Sequence, residues 1–159
     1  MTGDGKPKTG GYDNKGDVGR YKFQKLEIYR LALDYLDKIH ELSNRFPESE
    51  RFNLKSQIER AATSVVLNIA EGSTGQSDTE QKRFLGLSLR SYLETIACLD
   101  IAERRNYLPE NLLREVRDFG HRFFIKLQAL RKSLEALVSS RRSSVVHSSV
   151  PSPQSSVGD

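Results

Sequence analysis

One cysteine, Cys98, is all that the 159 residues contain, so no intrachain disulfide can form. Its neighbours Ile96, Ala97, Leu99 and Ile101 are apolar, which suits a buried, inert thiol better than a reactive one. Long apolar runs are missing too. None approaches the ~20 residues of a membrane span, and the opening MTGDGKPKTGGYDNKGD has no apolar core of the signal-peptide kind. A reducing compartment fits these absences, and a cytoplasmic protein without a membrane partner is expected. Hydrophobic residues are scarce, at 36%, below the usual share for a globular chain. The shortage lies at the two ends, so the middle keeps enough apolar side chains for one core. Surplus charge is lacking where it would be informative. Residues 1–22 hold five Lys/Arg and three Asp, residues 139–159 two Arg and one Asp, and the body between them 18 Lys/Arg against 17 Asp/Glu. The body is about neutral, so the isoelectric point near 9.2 is no proof of nucleic-acid binding.

Catalytic and metal-binding patterns are equally thin. The three histidines, His40, His121 and His147, are scattered along the chain. Asp37-x-x-His40 and Asp118-x-x-His121 have helical spacing, and Glu94 is a further carboxylate. A dimetal bundle needs inward carboxylates on the other helices as well. Both pairs fall on polar helix faces, so solvated surface is the better reading. Cys98 has no evident His partner, and no Ser stands on a strand-to-helix elbow. The Gly75 loop is not followed by the Lys-Ser/Thr pair of a phosphate loop. No enzyme, cofactor or metal is expected.

Helical periodicity is what the sequence does contain. The stretch Leu54–Gly72 organises it. Leu54, Ile58, Ala61, Ala62, Val65, Ile69 and Ala70 recur every three or four residues as an apolar face. Gln57, Arg60, Ser64, Asn68 and Glu71 form a second, polar face, and Gly72 reads as the left-handed residue that stops the helix. A first helix is predicted over 25–45, with Ile28, Ala32, Tyr35, Leu36, Ile39 and Leu42 inward, ended by Phe46-Pro47. Ser49 or Asn53 then caps the second. Either Ser77 or Asp78 caps a third helix over 79–105, and Ser77-x-x-Glu80 fits a capping box, with Phe84, Leu85, Leu89, Tyr92, Leu93, Ile96, Leu99 and Ala102 inward. Pro109 suits the first turn of a fourth, carried to Val138 by Leu112, Leu113, Val116, Phe119, Phe123, Leu127, Leu130 and Leu134. Gly120 lies inside it and weakens it by ~1 kcal/mol relative to Ala. The short connections predict an all-α, antiparallel up-down-up-down four-helix bundle over residues 21–138. A disordered leader (1–20) and a disordered Ser/Arg/Pro tail (139–159) are expected around it.

Two sets of residues are candidates for function. The fourth helix carries Arg114, Arg117, His121, Arg122, Lys126, Arg131 and Lys132, with Arg104 and Arg105 just ahead of it. Arg114, Arg117 and His121 share one face, as phosphate contacts require. The competing reading is a solvated helix laced with pairs such as Asp118–Arg122 and Arg131–Glu135. The second set is the polar stripe of helix two, matched on helix three by Ser88, Ser91 and Glu94 at three-residue spacing. Arg60 and Glu94 are placed to pair, with Ser64, Asn68 and Ser91 hydrogen-bonding around them. The small Ala61, Ala62 and Ser64 invite close helix approach, which favours a semi-buried line over a fully solvated one. Buried polar groups have to be satisfied in this way, and such networks set register and partner more than stability.

These residues carry a resemblance. The run Phe46-Pro47…Glu50…Leu54…Gln57-Ile58…Arg60-Ala61-Ala62…Ser64…Asn68-Ile69-Ala70-Glu71-Gly72, followed by Phe84-Leu85 and Ser91…Glu94, resembles the four-helix-bundle proteins encoded within intervening sequences of bacterial 23S ribosomal RNA genes. It extends over residues 21–135, and Phe23…Leu26 with Tyr29 is similar to that family's start. Arg90 departs from the pattern, which has a small residue before the Ser. The resemblance implies a left-handed bundle that assembles as a ring-like homopentamer. It also implies that Gln57, Arg60, Ser64, Asn68, Glu71, Gly72, Ser91 and Glu94 are a structural signature that sets packing. A related branch comprises the accessory variability proteins of diversity-generating retroelements, basic barrels that bind nucleic acid and a reverse transcriptase. The Asn68–Gly72 motif is nearer the intervening-sequence branch. A non-enzymatic oligomeric bundle that binds RNA or a ribonucleoprotein is expected. The alternative is a protein-interaction scaffold, or an accessory subunit of a reverse transcriptase that binds nucleic acid together with its partner.

Overall fold

The computed structural model describes residues 19–75 and 77–147. Four helices follow one another: α1 (Glu27–Ser43), α2 (Leu54–Gly72), α3 (Asp78–Arg104) and α4 (Glu110–His147). Cross-helix pairs fix their register, joining Lys38 to Glu115, Ser64 to Ser91 and Lys82 to Glu135. Successive helices run antiparallel and α4 closes back on α1, which gives the predicted four-helix bundle.

Each junction has a local cause. α1 ends ahead of Phe46-Pro47, as expected. At the start of α2 the Asn53 side chain makes no cap. Glu50 serves instead: its carboxylate accepts the Leu54 N–H at 3.2 Å and Asn53 Nδ2 at 2.8 Å. It also accepts the Tyr107 hydroxyl at 2.6 Å, tying the α1–α2 connection to the α3–α4 connection. The Ser77 hydroxyl caps α3 by accepting the Glu80 N–H at 3.1 Å. Only this half of the capping box forms, because the Glu80 carboxylate is turned to Arg83. α3 stops at a left-handed Asn106 (φ 55°), with Asn106 N–H on the Glu103 carbonyl and Tyr107 N–H on the Ala102 carbonyl. That pair of bonds is a Schellman motif.

Gly72 needs a correction. It is the last residue of α2 and is not left-handed; the left-handed glycine of this turn is Gly75, at φ 88°. A Cβ on Gly72 would stand 2.8 Å from Phe84 Cβ, so the close approach of α3 is what excludes a side chain there. The Ser73 hydroxyl closes the helix end by donating to the Ile69 carbonyl.

The core follows the predicted stripes on α1 and α2, with Val66 added and Leu36 and Ala70 only half-buried. On α3 Leu85, Leu89, Tyr92, Leu99 and Ala102 are buried as expected, but the rest of the inner face differs. Ser88 and Thr95 are fully buried there, whereas Leu93 stands in solvent. Ser88 donates to the Val65 carbonyl of α2 at 2.9 Å, a contact that needs a small hydroxyl and no bulk. Arg90 is exposed and leaves this contact undisturbed.

Tyr35 occupies the centre. Thr95 donates its own hydrogen to the Tyr92 carbonyl, so its oxygen accepts the Tyr35 hydroxyl, at 2.6 Å. Burial holds the Tyr35 phenol well above its ordinary pKa. The Tyr35 ring stacks on Phe123 of α4 at 5.8 Å and lies 5.4 Å from Tyr92. A Cβ on Gly120 would meet the Tyr35 ring at 2.8 Å and the Tyr92 hydroxyl at 3.1 Å. The glycine is therefore a notch for these rings, and α4 continues through it.

α4 also corrects the expected end of the bundle. It runs on from Val138 to His147, through the first part of the segment expected to be a disordered tail. The end of an apolar period is not a stop signal, and no Gly or Pro occurs between Val138 and Pro151. Ser143 and Ser144 hydroxyls bond back to the carbonyls of Ser139 and Arg141, and Arg141 pairs with Asp78 of α3. The remaining tail, 148–159, and most of the expected leader, 1–18, lie outside the described residues.

Two outcomes follow for stability. Alanine favours a helix over glycine by ~1 kcal/mol, but overfilling a packed core costs about 1–3 kcal/mol. Gly120→Ala is expected to lower the urea midpoint, and a raised midpoint would reject the notch. Glu50 is held below the ordinary carboxylate range by the Tyr107 hydroxyl first and the Leu54 N–H next. A depressed folded pKa contributes stability above the unfolded value of about 4.3, and this is lost as pH falls through the folded value. Thermal melts taken from about pH 6 down to about pH 3 should show a steeper fall in Tm for wild type than for Glu50→Gln. Parallel curves would remove Glu50 from acid unfolding.

Candidate nucleic-acid interface

The cations of α4 divide by their ion pairing. Arg114 pairs with Glu110 one turn earlier, and Lys126 pairs with Glu27 of α1. Arg117 reaches two carboxylates of α3, Asp100 at 2.6 Å and Glu103 at 2.8 Å. The face predicted from Arg114, Arg117 and His121 is thus largely neutralised, although His121 itself is exposed. The pairs suggested by helical spacing do not form among the described residues. Glu135 is taken by Lys82 at 2.6 Å, and that bond, with Lys82 and Arg131 charge behind it, holds its carboxyl below the usual range. Arg122 lies over the Phe119 ring, 5.8 Å from its centroid. Arg131 lies across Gly86, where a Cβ would stand 3.3 Å from its Nε, and this buried Nε has no hydrogen-bond partner among the described residues. Arg104, Arg105 and Lys132 are exposed, without an ion-pair partner among the described residues.

The polar stripe of α2 is semi-buried at its centre and solvated at its ends. The Ser64 and Ser91 hydroxyls meet at 2.9 Å, and Asn68 Nδ2 donates to the Ser64 carbonyl at 2.8 Å and to its hydroxyl at 3.1 Å. Gln57, Arg60 and Glu71 on α2 and Glu94 on α3 are exposed. Arg60 and Glu94 form no pair, because Thr95 takes the inward position on α3 and Glu94 lies about 100° round the helix from it.

Sequence reasoning missed the apolar side chains beside this seam. Phe52 is 88% exposed and Leu67 55%. With Arg60, Thr63, Ser64 and Asn68 they line one open groove of about 700 Å³ along α2. On α3, Leu93, Ala97 and Ile101 recur every four residues, and all three are exposed. Leu93 was expected in the core. Leu67 was legible as an apolar residue outside the helix-two stripe.

Cys98 is buried, and burial first, then the Glu94 charge, push its thiol pKa up, away from reactivity. Asp37, Asp118 and Glu94 are all exposed, and no cluster of three or more His, Cys, Asp or Glu suited to a metal occurs among the described residues. No helix among them is long and apolar enough to cross a membrane.

The bundle is similar to a solved structure of a protein with unknown function from the S23 ribosomal protein family of Bacteroides thetaiotaomicron. The two share 23% identity at a TM-score of 0.62, covering 66% of this chain and 98% of that one. A likeness at this identity bears on the fold alone. No curated protein matches the chain. The family model described as 23S rRNA-intervening sequence protein matches residues 24–122, from the start of the bundle into α4. That match spans the Ser64–Ser91 seam, the Gly72 contact and the Tyr35–Gly120 notch, and the chain belongs to the 23S rRNA-intervening sequence protein family.

Proposed function

We propose that this protein is a non-enzymatic bundle that associates with itself and binds RNA or a ribonucleoprotein in the cytoplasm. The observation that carries the RNA reading is the set of cations left over after ion pairing. Arg104, Arg105, Arg122 and Lys132 remain among the candidates, and Arg20, Lys22, Lys25, Arg30, Arg45, Arg60, Arg90 and Arg142 outside them, all exposed and without a carboxylate partner among the described residues. Unpaired, solvent-facing Lys and Arg are what contacts to a phosphate backbone use. The family's name, which refers to 23S rRNA intervening sequences, agrees with such a ligand. Self-association is supported by Leu67 and Leu93, exposed on the two helices joined by the Ser64–Ser91 seam, with Ile101 exposed further along α3. Large apolar side chains left in solvent on adjoining helices suit a contact face. A homopentamer is the assembly that the family resemblance implies.

Light scattering should give a mass that is a multiple of 18.0 kDa. Leu67→Asp combined with Leu93→Asp should return the monomer mass while the far-UV helical signal persists, since both side chains are exposed. A monomeric wild type sinks the assembly. Affinity for RNA should drop by orders of magnitude between about 50 and about 200 mM salt. An assembled protein that binds no RNA at the lower salt would leave the scaffold reading, with or without a reverse transcriptase as partner, in place of the RNA reading.

A further inference from the structure

The body of the chain is neutral in sequence, but folding separates its charge along the bundle axis. The end at which α2 turns into α3 is built from 19–30, 68–75, 77–86 and 126–147, which together hold eleven Lys/Arg against five Asp/Glu. The rest of the described chain, 31–67 and 87–125, holds eleven against twelve. Ion pairing sharpens the contrast. Glu27, Asp78, Glu80 and Glu135 are consumed by Lys126, Arg141, Arg83 and Lys82. Glu71 is then the one acid at this end without an ion pair among the described residues, against seven cations that have none.

Two of these cations, Lys22 and Arg142, come from separate segments and flank the α2–α3 connection. A small groove places Lys22 against Gly72, Ser73, Gly75 and Ser77. A second groove places Arg141 and Arg142 of α4 against Ser77 and Thr79 from another side. Arg131 and Lys132 stand about 16 Å back along α4 from Arg142, given 1.5 Å of rise per residue. The N-terminus of the 27-residue α3 opens at the same turn and adds its partial positive charge.

An aromatic platform sits among them. The sequence Lys22-Phe23-Gln24-Lys25 forms a single 3-10 turn with Tyr21 as its N-cap. The Tyr21 ring stacks on Phe23 at 6.0 Å and 9°, and Tyr21 is 58% exposed. Phe23 is held in turn, edge-on, by Tyr29 of α1 at 4.9 Å. A supported ring open to solvent among unpaired cations is the arrangement that takes an unstacked base.

We propose that this basic end, with Tyr21 as a stacking platform, is where a single-stranded segment of RNA binds, and that the Arg114–Arg117–His121 face does not contact it. The proposal rests on the RNA reading above. Phosphates lie along Lys22, Lys25, Lys132 and Arg142, and one base covers Tyr21.

Fluorescence anisotropy with a labelled single-stranded RNA of mixed sequence, and with the same RNA as a duplex, tests it on the full chain. A variant with Lys22→Ala, Lys25→Ala, Lys132→Ala and Arg142→Ala removes four exposed cations. A matched variant with Arg45→Ala, Arg90→Ala, Arg114→Ala and Arg117→Ala removes four from elsewhere. The first should weaken single-strand binding at least about tenfold and reduce the slope of log affinity against log salt by about 3, at ~0.7 for each phosphate no longer neutralised. The second should change neither. Tyr21→Ala should weaken binding roughly tenfold at every salt concentration with the slope unchanged, and Tyr21→Phe should restore it. Equal losses from the two quadruple variants, or a larger loss from the second, overturn the placement while leaving RNA binding intact. Duplex binding as tight as single-strand binding, with Tyr21→Ala neutral, overturns the single-strand assignment. No binding of either RNA by wild type defeats the underlying RNA reading itself.

Discussion

The whole bundle depends on placing one tyrosine in a space that only a glycine leaves. Tyr35 of α1 has its ring against Phe123 of α4 and its hydroxyl on Thr95 of α3, and its edge fills the notch at Gly120. A buried phenol without a partner would be destabilising, so Thr95 has to face inward, which fixes the rotation of α3. With Thr95 inward, Glu94 turns outward and Leu93 is left in water. The polar and apolar features of the outer surface thus follow from a hydrogen bond at the centre.

The contact of α2 with α3 obeys the same logic on a smaller scale. Gly72, Ser88 and the Ser64–Ser91 pair let two backbones approach more closely than large side chains allow. What such a contact lacks in apolar area it regains in specificity, because each hydroxyl has a well-placed partner. The line of small residues also leaves Leu67 and Leu93 standing proud on either side. The contact that packs α2 on α3 therefore also leaves two apolar side chains in solvent.

Electrostatics is where the fold departs furthest from the linear chain. Helical spacing put Arg114, Arg117 and His121 on one face, and they do share it, but Asp100 and Glu103 from α3 meet Arg117 there. Spacing along one helix shows which side chains lie together and says nothing of the acids that a neighbouring helix brings. Conversely, Lys22, Lys132 and Arg142 are far apart in sequence, and an up-down bundle places them at one end. A near-neutral body becomes a charge-separated one without any change in composition.

The order of residues alone was enough for the four helices, their succession and most of the inward side chains on α1, α2 and α4. The 3.6-residue apolar period, Pro47, Pro109 and the Ser77 cap are local signals that survive into the structure. Ser64, Asn68, Ser88 and Ser91 were also legible as a line, because small polar residues at helical spacing are visible without coordinates. Packing had to show why Gly72 and Gly120 are glycines, since the reason is another helix's Phe84 or Tyr35 and not the local backbone. Packing likewise settled that α4 outlasts its apolar stripe, that Glu50 caps α2 while holding Tyr107, and which cations stay unpaired. Local propensity is written in neighbouring residues. Close approach and charge pairing are properties of surfaces that meet only after folding.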